Sequence, residues 1–208
     1  MRPFIHINCA MSADGKIAGS DRKQVRISSE EDKQRVKDLR KKYDAILVGV
    51  GTVIADDPHL TVKGLGYDEN PVRIVIDPHG RTPRGARVVD DTAPTVIATD
   101  EKCEKIWDNA DTLRCGDPFD LNLLMESLPK LGIKSILVEG GGETISSFFR
   151  ERMVDVFSVY VGNMIIGGRT APTPADGDGW ISENGVKLEL KNCERMGEGV
   201  LLTYEPKF

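Results

Sequence analysis

The sequence predicts an α/β fold: a mixed, mostly parallel central sheet with helices on both faces and a β-rich C-terminal part. Three observations carry that prediction. Short apolar runs of strand length, such as Ala45-Ile-Leu-Val-Gly-Val50 and Ser135-Ile-Leu-Val138, alternate with segments of helical periodicity. These runs are apolar throughout, as strands covered on both faces are. The last third then changes character: 156–161, 186–193 and 200–204 read as strands with no helix between them.

Taken in order, the first strand is expected where Ile5, Ile7 and Cys9 alternate with His6 and Asn8, and a polar loop from Ser12 to Ile27 follows. Ser28-Ser-Glu-Glu31 offers an N-cap with an acid three residues on, and predicts a helix to about Lys42 with Val36, Leu39 and Tyr43 on one stripe. Further strands are expected at Val72–Ile76 and Pro94–Ala98, and further helices over Leu121–Leu131 and Glu143–Arg152. A chain of 208 residues, 39% hydrophobic and 29% charged, suits a single domain spanning 1–208.

Composition excludes several function classes. A net charge of −5 argues against a nucleic-acid binder, which needs a basic face. No run approaches the ~18 apolar residues of a membrane span. The N-terminus starts like a signal peptide, but His6 and Asn8 interrupt its apolar stretch, so a cytoplasmic protein is expected. Cys9, Cys103, Cys115 and Cys193 are scattered without a C-x-x-C pair, and His6, His59 and His79 are equally dispersed. That pattern predicts reduced thiols and no metal site.

Four stretches carry chemistry. Gly140-Gly-Gly142 stands between an apolar strand and an amphipathic helix, flanked by Glu139 and Glu143. Glycines there let a ligand approach the backbone, and the helix start presents N–H groups and a positive dipole end to an anion. Gly49-Val-Gly-Thr-Val-Ile-Ala-Asp-Asp-Pro58 follows another buried strand but lacks the third glycine of a dinucleotide fingerprint; Thr52 is expected to cap a short helix that Asp56-Asp57-Pro58 ends. Ser12-Ala-Asp-Gly-Lys-Ile-Ala18 leaves the first strand through an Asp-Gly turn, with Lys16 set against apolar neighbours where an ammonium suits a hydroxyl, carbonyl or phosphate. Arg81, Arg84 and Arg87 follow the strand ending at Ile76; an arginine at such a place accommodates a 2′-phosphate, which makes Arg81 the candidate, with Arg84 and Arg87 read as surface arginines.

An ordered set of motifs resembles one family. These are Met11-Ser-Ala-Asp-Gly-Lys-Ile-Ala18, Leu39-Arg-Lys-Lys-Tyr-Asp-Ala-Ile-Leu47, Gly51-Thr-Val-Ile-Ala-Asp-Asp-Pro-His-Leu-Thr-Val62, Arg73-Ile-Val-Ile-Asp77 and Val138-Glu-Gly-Gly-Gly-Glu143. Together they resemble the reductases of riboflavin biosynthesis, whose fold is that of dihydrofolate reductase. The resemblance covers nearly the whole length. It implies a cytoplasmic homodimer that uses NADPH to reduce a ribosylaminopyrimidine 5′-phosphate to its ribitylamino form.

By position, the resemblance places Ala10, Thr52, Asp56 and the segment Gly141, Gly142, Glu143, Thr144 through Ser147 at the dinucleotide. It places Arg40, Leu60 and Lys63 on the substrate-phosphate side, and Lys16 and Glu139 at the reacting ribose. Two positions depart from the bacterial pattern: Lys63 stands where an arginine is usual, and the aromatic of the loop before the first helix is replaced near Arg26. The zinc deaminase signature H-x-E…P-C-x-x-C, to which bacterial versions are fused, is absent from this sequence. That absence resembles the archaeal and fungal arrangement, which favours the diaminopyrimidinone over its deaminated counterpart. A dihydrofolate reductase and a non-catalytic nucleotide-binding module remain the rival readings.

Overall fold

A computed structural model describes residues 2–208. Its strands are β1 (Phe4–Met11), β2 (Ala45–Gly49), β3 (Val72–Ile76), β4 (Thr95–Thr99), β5 (Asp111–Arg114), β6 (Ser135–Gly140), β7 (Val156–Val161), β8 (Lys187–Met196) and β9 (Gly199–Lys207). The α-helices are α1 (Glu30–Arg40), α2 (Val50–Asp56), α3 (Leu121–Ser127) and α4 (Gly142–Arg150). The strands make one nine-stranded sheet in the order β5-β4-β3-β2-β6-β1-β7-β9-β8. β1 pairs with β7 in parallel, as do β2 with β3, β3 with β4 and β4 with β5. β9 runs antiparallel to both β7 and β8, so the mixed, mostly parallel sheet and its β-rich end are both present. By contacts the chain divides into two compact units, one of residues 2–4 and 38–137, the other of residues 5–37 and 138–208.

In the first unit, β2 and β4 are buried at every position; β2 reads as an unbroken apolar run, and β4 as Val-Ile-Ala between two buried threonines. Ile46, Val48, Val53, Val75, Ile97 and Trp107 belong to one core cluster. β5 has no such signal: Asp111-Thr-Leu-Arg114 is a half-exposed edge strand that the apolar runs did not reveal. The helix expected over Leu121–Leu131 is α3 followed by a 3₁₀ turn, Leu128–Leu131, closed by Gly132 at φ 84°.

In the second unit, α1 departs from its expected apolar stripe. Ser29, not Ser28, caps it, accepting the Asp32 amide at 3.2 Å. The only buried residue of α1 is Asp32, held by the Ser28 hydroxyl (2.6 Å) and by Arg35 (2.7 Å). Arg35 also donates to Asn8 Oδ1 at 2.7 Å. The inward face of this helix is therefore an ion pair joined to β1. On β1 itself, burial pushes the Cys9 thiol up to about 12, which leaves it unreactive at neutral pH.

His6 is also buried on β1, 2.8 Å from Ser158 Oγ on β7. Burial, and then the Arg35 charge, lower its pKa to about 4. The unfolded chain takes a proton at this residue near 6.5, whereas the folded chain resists it until about 4. Stability should thus fall as pH drops through that window. Between pH 7 and 4.5 the native chain should lose about 2 kcal/mol more than a His6→Asn variant, read from urea midpoints. Equal losses would mean that His6 carries no part of the acid sensitivity.

Candidate active site

In the second unit, β1 ends at Met11 and the chain turns back through a closed set of hydrogen bonds. Ser12 is fully buried; its amide donates to Lys16 O (2.8 Å) and its hydroxyl accepts the Lys16 amide (2.9 Å). The Asp-Gly turn expected here is present, with Gly15 at φ 79° and its amide on Ser12 O. Lys16 is half-buried, and its Nζ donates to Ala171 O at 3.2 Å. An ammonium has three donors, so this contact orients the group without using it up.

Glu139 is the penultimate residue of β6, half-buried, and Gly140 and Gly141 lead from it into α4. Gly141 is the N-cap at φ 88°, a conformation suited to glycine, and its carbonyl accepts the Ile145 amide at 2.9 Å. No side chain caps α4, so the amides of Gly142, Glu143 and Thr144 open the helix uncapped. Ala10 lies on β1 opposite Tyr160 of β7, its methyl packed against Ile27, Tyr160 and Leu201.

Gly142 corrects the reason given for the glycines. A side chain there would fall 2.4 Å from Thr173 O and 2.6 Å from Asp176 Oδ2. The close approach at this glycine is made by the protein's own segment 173–176, with the Asp176 amide on Gly142 O at 3.1 Å. Thr173 and Asp176 carried no sequence signal, because an irregular Pro- and Gly-rich stretch has no period to read.

The first unit holds the remaining positions other than Arg26. α2 begins after Gly49 with no capping side chain, so Thr52 sits inside the helix rather than at its cap. Asp56 is its last residue and Asp57 the left-handed C-cap at φ 42°. Asp56 reaches solvent, yet its packing strips enough water to raise the pKa of its carboxyl. Leu60 is an unusual residue: a leucine at φ 53°, only 3% exposed, its side chain in the core cluster. Only its backbone is therefore left to meet a ligand.

Arg40, at the end of α1, donates from Nη1 to Thr61 O at 3.3 Å. The structure thus brings Arg40 to the turn that carries Leu60 and exposed Lys63. Arg40 also borders a surface groove whose walls include Asp44, Asp68 and Glu69. After β3, Asp77 accepts the Arg81 and Thr82 amides at 2.9 and 2.7 Å, leaving the Arg81 side chain exposed. Arg87 is instead paired with Asp57 at 3.4 Å. Arg26 is exposed and paired with Glu30. Among the described residues there is no group of three or more His, Cys, Asp or Glu that could hold a metal ion, and no helix long and apolar enough to cross a membrane.

The RibD C-terminal domain profile matches residues 3–202. The chain belongs to that family. Two archaeal relatives of the chain bear the name 2,5-diamino-6-ribosylamino-4(3H)-pyrimidinone 5′-phosphate reductase. The one from Archaeoglobus fulgidus is 40% identical over 98% of each chain. The one from Methanothermobacter thermautotrophicus is 42% identical over the full length of both. Among solved structures, a deaminase/reductase of Thermotoga maritima superposes with a TM-score of 0.81 at 27% identity. There the chain is covered to 99% but spans only 57% of the larger protein. A dihydrofolate reductase from Enterococcus faecalis, 10% identical over 99% of this chain and 97% of its own, reaches a TM-score of 0.56 and establishes the shared fold alone.

A dinucleotide is the group this fold implies, and the donors present fit it. The first turn of α4 has no side-chain cap, so its backbone N–H groups and positive dipole end suit a pyrophosphate on the side that Thr173 and the Asp176 carboxylate, packed over Gly142, do not cover.

Proposed function

We propose that the chain is an NADPH-dependent reductase of riboflavin biosynthesis. It converts the ribosylamino side chain of 2,5-diamino-6-ribosylamino-4(3H)-pyrimidinone 5′-phosphate to the ribitylamino form. The observation that carries this reading is the full-length identity of 40–42% to two archaeal proteins of that name. When bound, NADPH supplies the hydride that reduces C1′ of the ring-opened ribosyl group. Opening leaves a C1′=N bond; hydride adds to the carbon and a proton to the nitrogen, giving the amine.

The chain's own residues bind, orient and handle that proton. Lys16 and Glu139 hold the ribosyl hydroxyls or manage the proton that balances hydride transfer. The amides of Gly142, Glu143 and Thr144, with Gly141, Ala10, Thr52 and Asp56, hold the dinucleotide, and Arg81 takes the 2′-phosphate. Arg40, the backbone of Leu60 and Lys63 take the substrate phosphate; a lysine there grips as a point charge rather than a bidentate fork. One domain, a homodimer and a cytoplasmic setting complete the reading. The apolar C-terminal strands are compatible with self-association.

The test follows NADPH absorbance anaerobically with the diamino substrate and its deaminated counterpart in parallel. Faster oxidation with the diamino compound is expected. A preference for the deaminated compound would keep the class of enzyme and reverse the order of steps, and turnover of neither would overturn the reading.

A further inference from the structure

The loop of Lys16 and the first turn of α4 are both tied to one irregular segment, Met164–Asp176. The Asp14 carboxylate makes the tie at one end and the Asp176 backbone amide at the other, where the Asp176 carboxylate folds the segment's own turn at Thr173. At the first end, Asp14 accepts from the Ser12 hydroxyl (2.6 Å) and from the amides of Ile166 (3.1 Å) and Gly167 (2.7 Å). The Ala13 amide adds a bond to Met164 O at 2.8 Å. Ser12 relays this anchorage to Lys16, whose amide rests on the same hydroxyl. At the far end, Asp176 Oδ1 accepts the Thr173 amide (3.0 Å) and hydroxyl (2.6 Å), while its own amide donates to Gly142 O. Between the two ends, the segment itself receives the Lys16 ammonium at Ala171 O and the Ile17 amide at Pro172 O (2.9 Å).

We propose that Asp14 and Asp176 are positioning residues: by fixing both ends of Met164–Asp176, they hold the Lys16 ammonium in register with the amides of Gly142, Glu143 and Thr144. The inference rests on the roles given above to Lys16 and α4. A lysine side chain has four rotatable bonds and loses much freedom when ordered, so its placement depends on a rigid base and a fixed acceptor. Asp14 helps provide the base and the segment provides the acceptor. Hydrogen bonds to ionised carboxylates are stronger than neutral ones, which suits a permanent clasp. Donation by Ser12 and the two backbone amides lowers the Asp14 pKa to about 2, so the clasp stays charged at any working pH. At the other end, Asp176 Oδ2 lies over Gly142 in the space that any side chain would need, beside the positive end of the α4 dipole.

Asp14→Asn and Asp176→Asn keep the shape and remove the charge. Asp14→Asn should lower kcat roughly 10- to 100-fold, with the NADPH dissociation constant, read by fluorescence, unchanged within about twofold. Asp176→Asn should instead raise that constant about 10-fold. If Asp14→Asn does not fold, Ser12→Ala removes the relay to Lys16 and should give the same split. Native kcat in the folded Asp14 or Ser12 variant, or equal loss of kcat and NADPH affinity in both aspartate variants, overturns the proposal. Should the native protein turn over neither pyrimidine, the proposed function fails, and amide hydrogen exchange then decides this inference. Faster exchange at Lys16, Ile17, Ile166 and Gly167 in Asp14→Asn supports the clasp, and unchanged exchange refutes it.

Discussion

Replacing Lys16 by methionine should lower kcat about 100- to 1,000-fold while changing the affinity for NADPH by less than about twofold. Methionine keeps the length and much of the apolar stem but removes the only charge on the loop between Ser12 and Ala18 other than Asp14. In the proposed reaction, proton delivery or hydroxyl orientation at the ribosyl group would need that charge, whereas seating of the dinucleotide on α4 would not. The loss should not come from unfolding. The loop is closed through backbone groups of Lys16, whose amide and carbonyl bond Ser12, and methionine retains these. What the substitution surrenders in the fold is one bond of 3.2 Å to Ala171 O. Steady-state rates give kcat, fluorescence titration gives the NADPH constant, and a thermal midpoint close to native confirms the fold. A rise in substrate KM at native kcat would make Lys16 a binding residue, and a parallel loss of NADPH affinity would place it at the cofactor.

How legible this was in the sequence depended on what each feature is made of. β2 was readable because burial on both faces leaves an unbroken apolar run, and β3, β6 and β7 through their apolar majority, although buried Arg73 and Ser158 interrupt β3 and β7. β5 escaped because an edge strand with one neighbour needs no such run. α1 was placed correctly within two residues, yet its buried face was misread. Apolar periodicity points to Val36 and Leu39, whereas the residue taken out of water is Asp32, compensated by Arg35 and Ser28. A pattern of residue types cannot reveal that two charges cancel across a turn.

The same limit governs the site. Strand-to-helix turns after β2 and β6 announce themselves through glycine, and the structure confirms both turns. It also corrects two details, since Thr52 caps nothing and Gly142 makes room for Thr173 and Asp176. Lys16 stood out as a charge beside apolar neighbours. The segment 164–176 that positions it did not, because its role lies in long-range backbone bonds that leave no local periodicity.

Arg73→Met should destabilise the protein by about 3–5 kcal/mol, enough to leave much of it unfolded at 37 °C. The motif Arg73-Ile-Val-Ile-Asp77 counted towards the family resemblance, and its arginine is the largest side chain fully buried in the structure. The guanidinium is spent entirely inside the first unit. Nε donates to Thr95 Oγ1 (2.8 Å), and Nη1 to Asp90 Oδ1 (2.8 Å), Arg87 O (3.1 Å) and Thr92 Oγ1 (3.3 Å). Nη2 donates to Asp90 O (2.7 Å) and Ala93 O (2.5 Å). This one group therefore satisfies three backbone carbonyls in the turn from Arg87 to Ala93 that joins β3 to β4. Methionine fills most of the volume but leaves Asp90 O without a donor and the Asp90 carboxylate without its guanidinium. Arg87 O and Ala93 O keep one long bond each, 3.3 Å from the Asp90 amide and 3.4 Å from the Thr95 hydroxyl. An unsatisfied buried acceptor costs about 1–3 kcal/mol. Lysine should rescue little, because three donors on a flexible stem cannot match a planar fork with five. Urea unfolding of Arg73→Met against the native chain gives the difference directly. A midpoint shift worth less than about 1 kcal/mol would mean that the turn re-forms around water. A folded but inactive variant would give Arg73 a part in the chemistry.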